Sequence, residues 1–287
     1  MSLINFLKHS FLKFFALFLS GMFSCLGRWD GEFFPKSIMA AGVAIPLIIS
    51  FILFLKEKKI NCLNFLGWYG IFYLFLLFSW TYTANTIDPE IIVRRCFFVF
   101  LIGLTITQLI NNRNDFIILM KGTIIGALLT AIVVFIVESH LIGSNRIGST
   151  VCGAATAFGG IVLIGFWCSL FLLLFTKTKK YIALICFFEI VIVLTGSRMP
   201  LLISIASIAA VYFLWVPNFY QKINRFFFIF IFFIILFYLI LNVPFLYDII
   251  GERIETMISA LGSSNNMDSD SSIRERSFMK QEALRLW

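Results

Sequence analysis

Charge is what this chain has least of. Only 13% of its 287 residues are Asp, Glu, Lys or Arg, about half the usual share of a soluble globular domain. An apolar fraction of 60% and a mean hydropathy of +0.97 exclude an ordinary water-soluble fold and point to an integral membrane protein. Histidine is scarce too, with His9 and His140 alone. The six cysteines (25, 62, 96, 152, 168 and 186) form no CxxC pair, so neither a zinc site nor a disulfide framework is expected and they read as small packing residues. There is no Walker loop and no GxGxxG after a strand. The net charge of +8 does not point to nucleic acid in such a chain, because basic residues mark the cytoplasmic loops of membrane proteins.

What is present is long apolar runs. About twenty apolar residues make one helical crossing, and by that length the chain divides into about nine candidate spans. They are Phe11–Leu26, Ser37–Leu55, Leu63–Trp80, Ile91–Ile110, Phe116–Val137, Val151–Phe175, Tyr181–Thr195, Pro200–Val216 and Phe226–Phe245. No small-residue cleavage site precedes Arg28, so the first run is read as a retained helix, not a signal peptide. The expected fold is all-α: a polytopic transmembrane helical bundle over residues 1–246, followed by an incomplete extracytoplasmic loop over 247–287. No repeat of fixed period is visible, and the Phe/Ile-rich run RFFFIFIFFIILFYLIL suits lipid contact.

Basic residues set the orientation. Lys8 and Lys13, Lys56 with Lys58 and Lys59, Arg113 with Lys121, Lys177 with Lys179 and Lys180, and Lys222 with Arg225 fall in every second connection. The positive-inside rule puts those connections, and the amino terminus, in the cytoplasm. The connections 28–36, 81–90, 138–150, 196–199 and the region after Tyr247 then face outward. The last of these is polar and serine-rich and ends in SIRERSFMKQEALRLW, whose Ile273, Phe278, Leu284 and Trp287 suggest an amphipathic helix at the outer surface. The sequence stops in mid-pattern at Trp287, and the expectation is a chain truncated at its carboxyl end.

Residues able to carry chemistry are few and lie on the outward side. In VLTGSRMPLL, Gly196 suits a left-handed cap of the seventh span, and Pro200 suits the first turn of the eighth. Free amides at that helix start carry partial positive charge, and Arg198 adds a guanidinium able to hold a phosphate in bidentate fashion. The competing reading is an arginine snorkelling to lipid headgroups. Arg274 and Arg276 are either a second clamp on the same anion or a solvated helix face paired with Glu275 or Glu282. Arg146, in SNRIGSTVCG, is a further outward candidate or a headgroup contact. Asp88-Pro89-Glu90 reads as a helix start with its acids on the favourable end of the dipole. Of Arg94 and Arg95, at least one should face protein. His140 is the only histidine on the outer side, and nothing in the sequence fixes its geometry as an acid or base.

The ordered set NRIGST, LTGSRMPLL and DSDSSIRERSFMKQEAL resembles the O-antigen ligase family of bacterial polytopic enzymes, which includes lipopolysaccharide O-antigen ligases and O-antigen polymerases. The resemblance runs from about Ser79 onward. It implies a multi-pass protein of the bacterial inner membrane with a periplasmic active site. The implied reaction moves a glycan from an undecaprenyl diphosphate donor to an acceptor, either lipid A core or a second lipid-linked glycan, without a cofactor and with inversion at the anomeric centre. By the resemblance, Arg198 and Arg276 grip the donor diphosphate, Arg146 corresponds more loosely, and Arg274 is an addition. Family members continue with a proline-glycine-rich stretch, an outer-loop histidine that activates the acceptor, and further spans. This sequence does not contain them, so the catalytic residue is unassigned and the chain is expected to be inactive alone. The rival readings are a polymerase within the same enzyme class, a transporter or flippase for lipid-linked sugars, and a structural membrane subunit. One-sided arginines and the absence of repeated halves speak against a transporter.

Overall fold

A computed structural model describes residues 3–27, 35–57, 61, 63–82, 89–141, 147–214, 219–244, 247 and 251. All regular structure among them is helical. The helices are α1 (Leu3–Leu26), α2 (Lys36–Glu57), α3 (Leu63–Tyr82), α4 (Pro89–Leu109), α5 (Arg113–Val137), α6 (Ser149–Cys152), α7 (Ala155–Thr176), α8 (Lys180–Leu194), α9 (Arg198–Leu214) and α10 (Phe219–Asn242). Each of the nine apolar runs is helical over most of its length. Two helices, α5 and α7, are long and apolar enough by length and composition to cross a membrane, and shorter apolar stretches run through α1, α2, α3, α4 and α9.

Three boundaries differ from the sequence reading. The sixth run is broken, because Gly153 takes a left-handed φ of 72° between α6 and α7, and a helix cannot run through such a residue. The last helix starts at Phe219, so Lys222 and Arg225 belong to its first turns. Lys121 is an exposed residue two turns into α5, not a loop residue. Pro89 and Glu90 do open α4, and Asp88 lies outside the described residues.

The chain forms two compact units, one of residues 1–139 with 148–191, the other of 140–147 with 192–287. The first is organised around α1 and α5, which run parallel and in close contact. Small residues make this possible: a Cβ on Gly122 would strike the carbonyl oxygen of Phe18, and one on Gly126 that of Met22. Gly122 and Gly126 form a GxxxG pair, the spacing by which helices approach backbone to backbone in a bilayer. Facing them, the thiol of Cys25 reaches the carbonyl of Thr123 at 3.6 Å, while the hydroxyls of Ser20, Thr123 and Thr130 turn back to carbonyls of their own helices. Hydroxyls satisfied in this way can be buried between helices without an unmet polar group. On the other side of α5, Ala127 meets Gly165 of α7, and Phe188 of α8 fills in beside it.

The end of this unit that holds the start of α5 is polar. Asn112 caps α5 in a reciprocal box with Asp115, an arrangement that satisfies two helix-end donors. Asp115 also accepts the amide of Asn111 at 2.9 Å and pairs with Lys13 of α1 at 2.6 Å, both side chains largely buried. Arg113 donates to the carbonyl of Phe175 at the end of α7 and lies 4.6 Å over its ring. Asn61, before α3, bonds Gln108 and Asn111 after the last turns of α4. α3 and α4 are antiparallel and joined by stacked rings of Phe65, Tyr69, Tyr73 and Phe100.

Outward faces are apolar to an extent no aqueous surface tolerates. Trp68 is 81% and Phe75 71% exposed on α3, and Phe227, Phe228 and Tyr238 are each more than 60% exposed on α10. In the second unit α9 and α10 pack on each other.

Candidate functional site

The turn between α8 and α9 is built by a few specific residues. α8 ends when the amide of Thr195 bonds the carbonyl of Ile192 at 3.2 Å and that of Gly196 bonds Val193 at 3.0 Å, three residues back instead of four. This tightened last turn satisfies carbonyls that the helix end leaves over. Gly196 then takes a φ of 60°, the left-handed conformation at which glycine ends a helix without strain. Thr195, wholly buried, holds the corner: its hydroxyl donates to the Ile192 carbonyl at 2.7 Å and accepts the Ser197 amide at 3.1 Å.

Ser197 stands in front of α9, with its carbonyl accepting the amide of Leu201 at 3.4 Å. Its side chain is only 2% exposed, yet Oγ has no hydrogen-bond partner among the described residues. A buried hydroxyl without a partner costs about 1–3 kcal/mol, so native proteins keep few of them and those few call for a reason. Arg198, the first residue of α9, is half-buried; Met199 beside it is exposed and Pro200 buried in the first turn. The amides of Arg198 and Met199 belong to the group at a helix start that lacks intrahelical carbonyls, and Pro200 has no N–H to add. The corner thus brings together a hydroxyl, helix-start amides and a guanidinium. Its chemistry favours an anion with several oxygens.

Arg146, Arg274 and Arg276 lie outside the described residues, as does the amphipathic segment from 273 to 287. Arg94 and Arg95 are in α4, with side chains outside the description. His140 sits exposed in a short 3-10 turn, Ser139–Leu141, after α5.

A second polar feature had no signal in the sequence. Glu138, fully buried, turns its carboxylate to the start of α6. Oε2 accepts the amide of Gly148, and Oε1 accepts those of Thr150 at 2.9 Å and Val151 at 3.1 Å. Gly148 has a φ of 94°, and a Cβ there would strike the ring of Phe158. Three amides supply the counter-field a buried carboxylate needs. They also hold Glu138 and Gly148 together across the chain between them. Backbone amides are the partners, and every residue but proline has one, so only the oddity of a lone acid at the end of an apolar run could have flagged this feature.

No family model, curated protein or solved structure matches the chain.

Proposed function

We propose that the protein is a multi-pass membrane glycosyltransferase of O-antigen ligase type, which moves a glycan from undecaprenyl diphosphate to lipid A core on the periplasmic side of the bacterial inner membrane. A polymerase, with a second lipid-linked glycan as acceptor, is the alternative within the same chemistry. The observation that carries the reading is the Thr195–Pro200 corner: a half-buried arginine and a buried, unpartnered hydroxyl at the start of a 17-residue helix. Membrane insertion in nine spans is supported by the nine apolar helices, the exposed aromatic faces and the GxxxG seam. The cytoplasmic assignment of the amino terminus is supported by Lys13 within α1, Arg113 at the start of α5 and Lys177 just after α7, which the Lys13–Asp115 and Arg113–Phe175 contacts bring to one side of the first unit.

In this reaction the acceptor oxygen bonds to the anomeric carbon while the bond from that carbon to the diphosphate oxygen breaks. The acceptor gives up its proton, and the lipid diphosphate leaves with the electron pair. The charge that develops on the leaving oxygen is the part a protein can stabilise. In this reading Arg198, the α9 amides and the Ser197 hydroxyl stabilise it, with Arg276, Arg146 and Arg274 as proposed additional ligands. Fixed donors of this kind act without reorganising, which is why each is worth a large factor in rate. The energy resides in the donor's glycosyl phosphate bond, so no nucleotide is needed.

The test is genetic and chemical together. In cells whose own transfer depends on the full-length protein, Arg198→Ala should remove surface O-chain while long lipid-linked polymer accumulates and protein level stays normal. Single repeat units on core would instead identify a polymerase. Undiminished transfer by the alanine variant would refute the clamp.

A further inference from the structure

The polar end of the first unit holds a feature that the transfer reaction does not use. α2 and α3 both pack along α4 and are not packed closely on each other among the described residues, which leaves a groove of about 500 Å³ between them. Leu47, Ile48, Phe51 and Phe54 of α2, Leu66 of α3 and Leu104 of α4 line it. It follows α2 for two turns, about 10 Å. Its walls are part of the apolar exterior, since Ile48 and Phe51 are each more than half exposed. Ser50 and Gln108 also line it, and the same two residues line a water-sized hollow with Lys13 and Asn111. Just past Phe54, α2 ends in the exposed Lys56, and Lys58 and Lys59 follow in sequence.

We infer that this groove binds one acyl tail of an anionic glycerophospholipid of the cytoplasmic leaflet. The inference rests on the membrane reading above. In a bilayer a slot that opens sideways through leucine and phenylalanine fills with hydrocarbon, because water finds no partners in it. Its volume of about 500 Å³ is of the size of one tail and not of a folded segment of protein. Gln108, in the last turn of α4, stands at the polar end where the tail meets its ester, and the exposed Lys56 in the last turn of α2, with Lys58 and Lys59 next in the sequence, supplies basic charge that draws an anionic headgroup. The tail serves as the missing contact between α2 and α3.

The experiment uses the full chain in vesicles of phosphatidylethanolamine and phosphatidylglycerol, with a trace of phosphatidylglycerol that carries a photoactivatable diazirine in one tail. Cross-links should concentrate several-fold on Leu47, Phe51, Leu66 and Leu104 relative to Trp68 and Phe75, which face the bulk. The same probe built on phosphatidylcholine should label the groove several-fold less. Leu104→Trp, which fills the groove, should abolish the preference, while Leu129→Trp on the exposed face of α5 should leave it intact with equal helical content. Labelling spread evenly over exposed residues of the wild type, or equal labelling by the two headgroups, would overturn the inference while leaving the membrane reading standing. Release of the chain from the vesicles by alkaline carbonate would bring down both.

Discussion

Two buried polar corners of this largely apolar chain, Glu138 and the Ser197–Arg198 pair, differ in how completely their groups are met. Glu138 is wholly buried and both oxygens of its carboxylate are engaged by amides. Ser197 is almost as buried, yet its hydroxyl meets nothing among the described residues, and a half-buried guanidinium follows it. The first arrangement is complete and has no capacity for a ligand. The second leaves one buried hydroxyl unmet among the described residues. The two corners are alike in burial, and it is satisfaction that separates them.

Substitutions can break this contrast. The largest effect should come from Arg198→Ala, which removes a cation from the leaving group and should slow glycan transfer roughly 100- to 1,000-fold, compared at equal protein level in the membrane. Glu138→Ala should do the reverse in kind: it strands three amides, of which even one left unmet costs about 1–3 kcal/mol, and should lower the unfolding temperature before any effect on transfer is considered. Gly126→Leu drives a side chain into the Met22 backbone and should destabilise the α1–α5 seam by about 1–3 kcal/mol or more, read as lost monodisperse protein after solubilisation. The smallest effect belongs to Ser197→Ala. Because its hydroxyl has no partner to lose among the described residues, stability should hold or rise slightly, while transfer falls by roughly the value of one hydrogen bond, about 1 kcal/mol.

Much of this was legible in advance where a residue's chemistry has only one good use. Gly196 and Pro200 bracket a break between two apolar runs, and the structure puts a left-handed glycine and a first-turn proline there. Pro89 and Glu90 mark the start of α4 in the same way. The GxxxG pair at Gly122 and Gly126 was open to view, but division of the chain by span length does not weigh which face a small residue occupies. The break at Gly153 was missed for a related reason: its neighbours are as apolar as a span requires, and only its φ reveals the interruption. Glu138 was invisible because its partners are backbone groups with no sequence signature. The groove between α2 and α3 arises from which helices share a neighbour, a property of packing that no single segment encodes.

The central claim is that the α8–α9 corner grips the diphosphate of an isoprenoid-linked donor. It is tested most directly by binding of farnesyl diphosphate, a short isoprenoid diphosphate, to the full-length protein in lipid nanodiscs, with Arg198→Ala and Lys121→Ala compared against the wild type. The account predicts saturable binding that Arg198→Ala weakens roughly 10- to 100-fold, the value of a charged hydrogen-bonded contact, and that Lys121→Ala leaves unchanged. Equal affinity in the wild type and Arg198→Ala would contradict it.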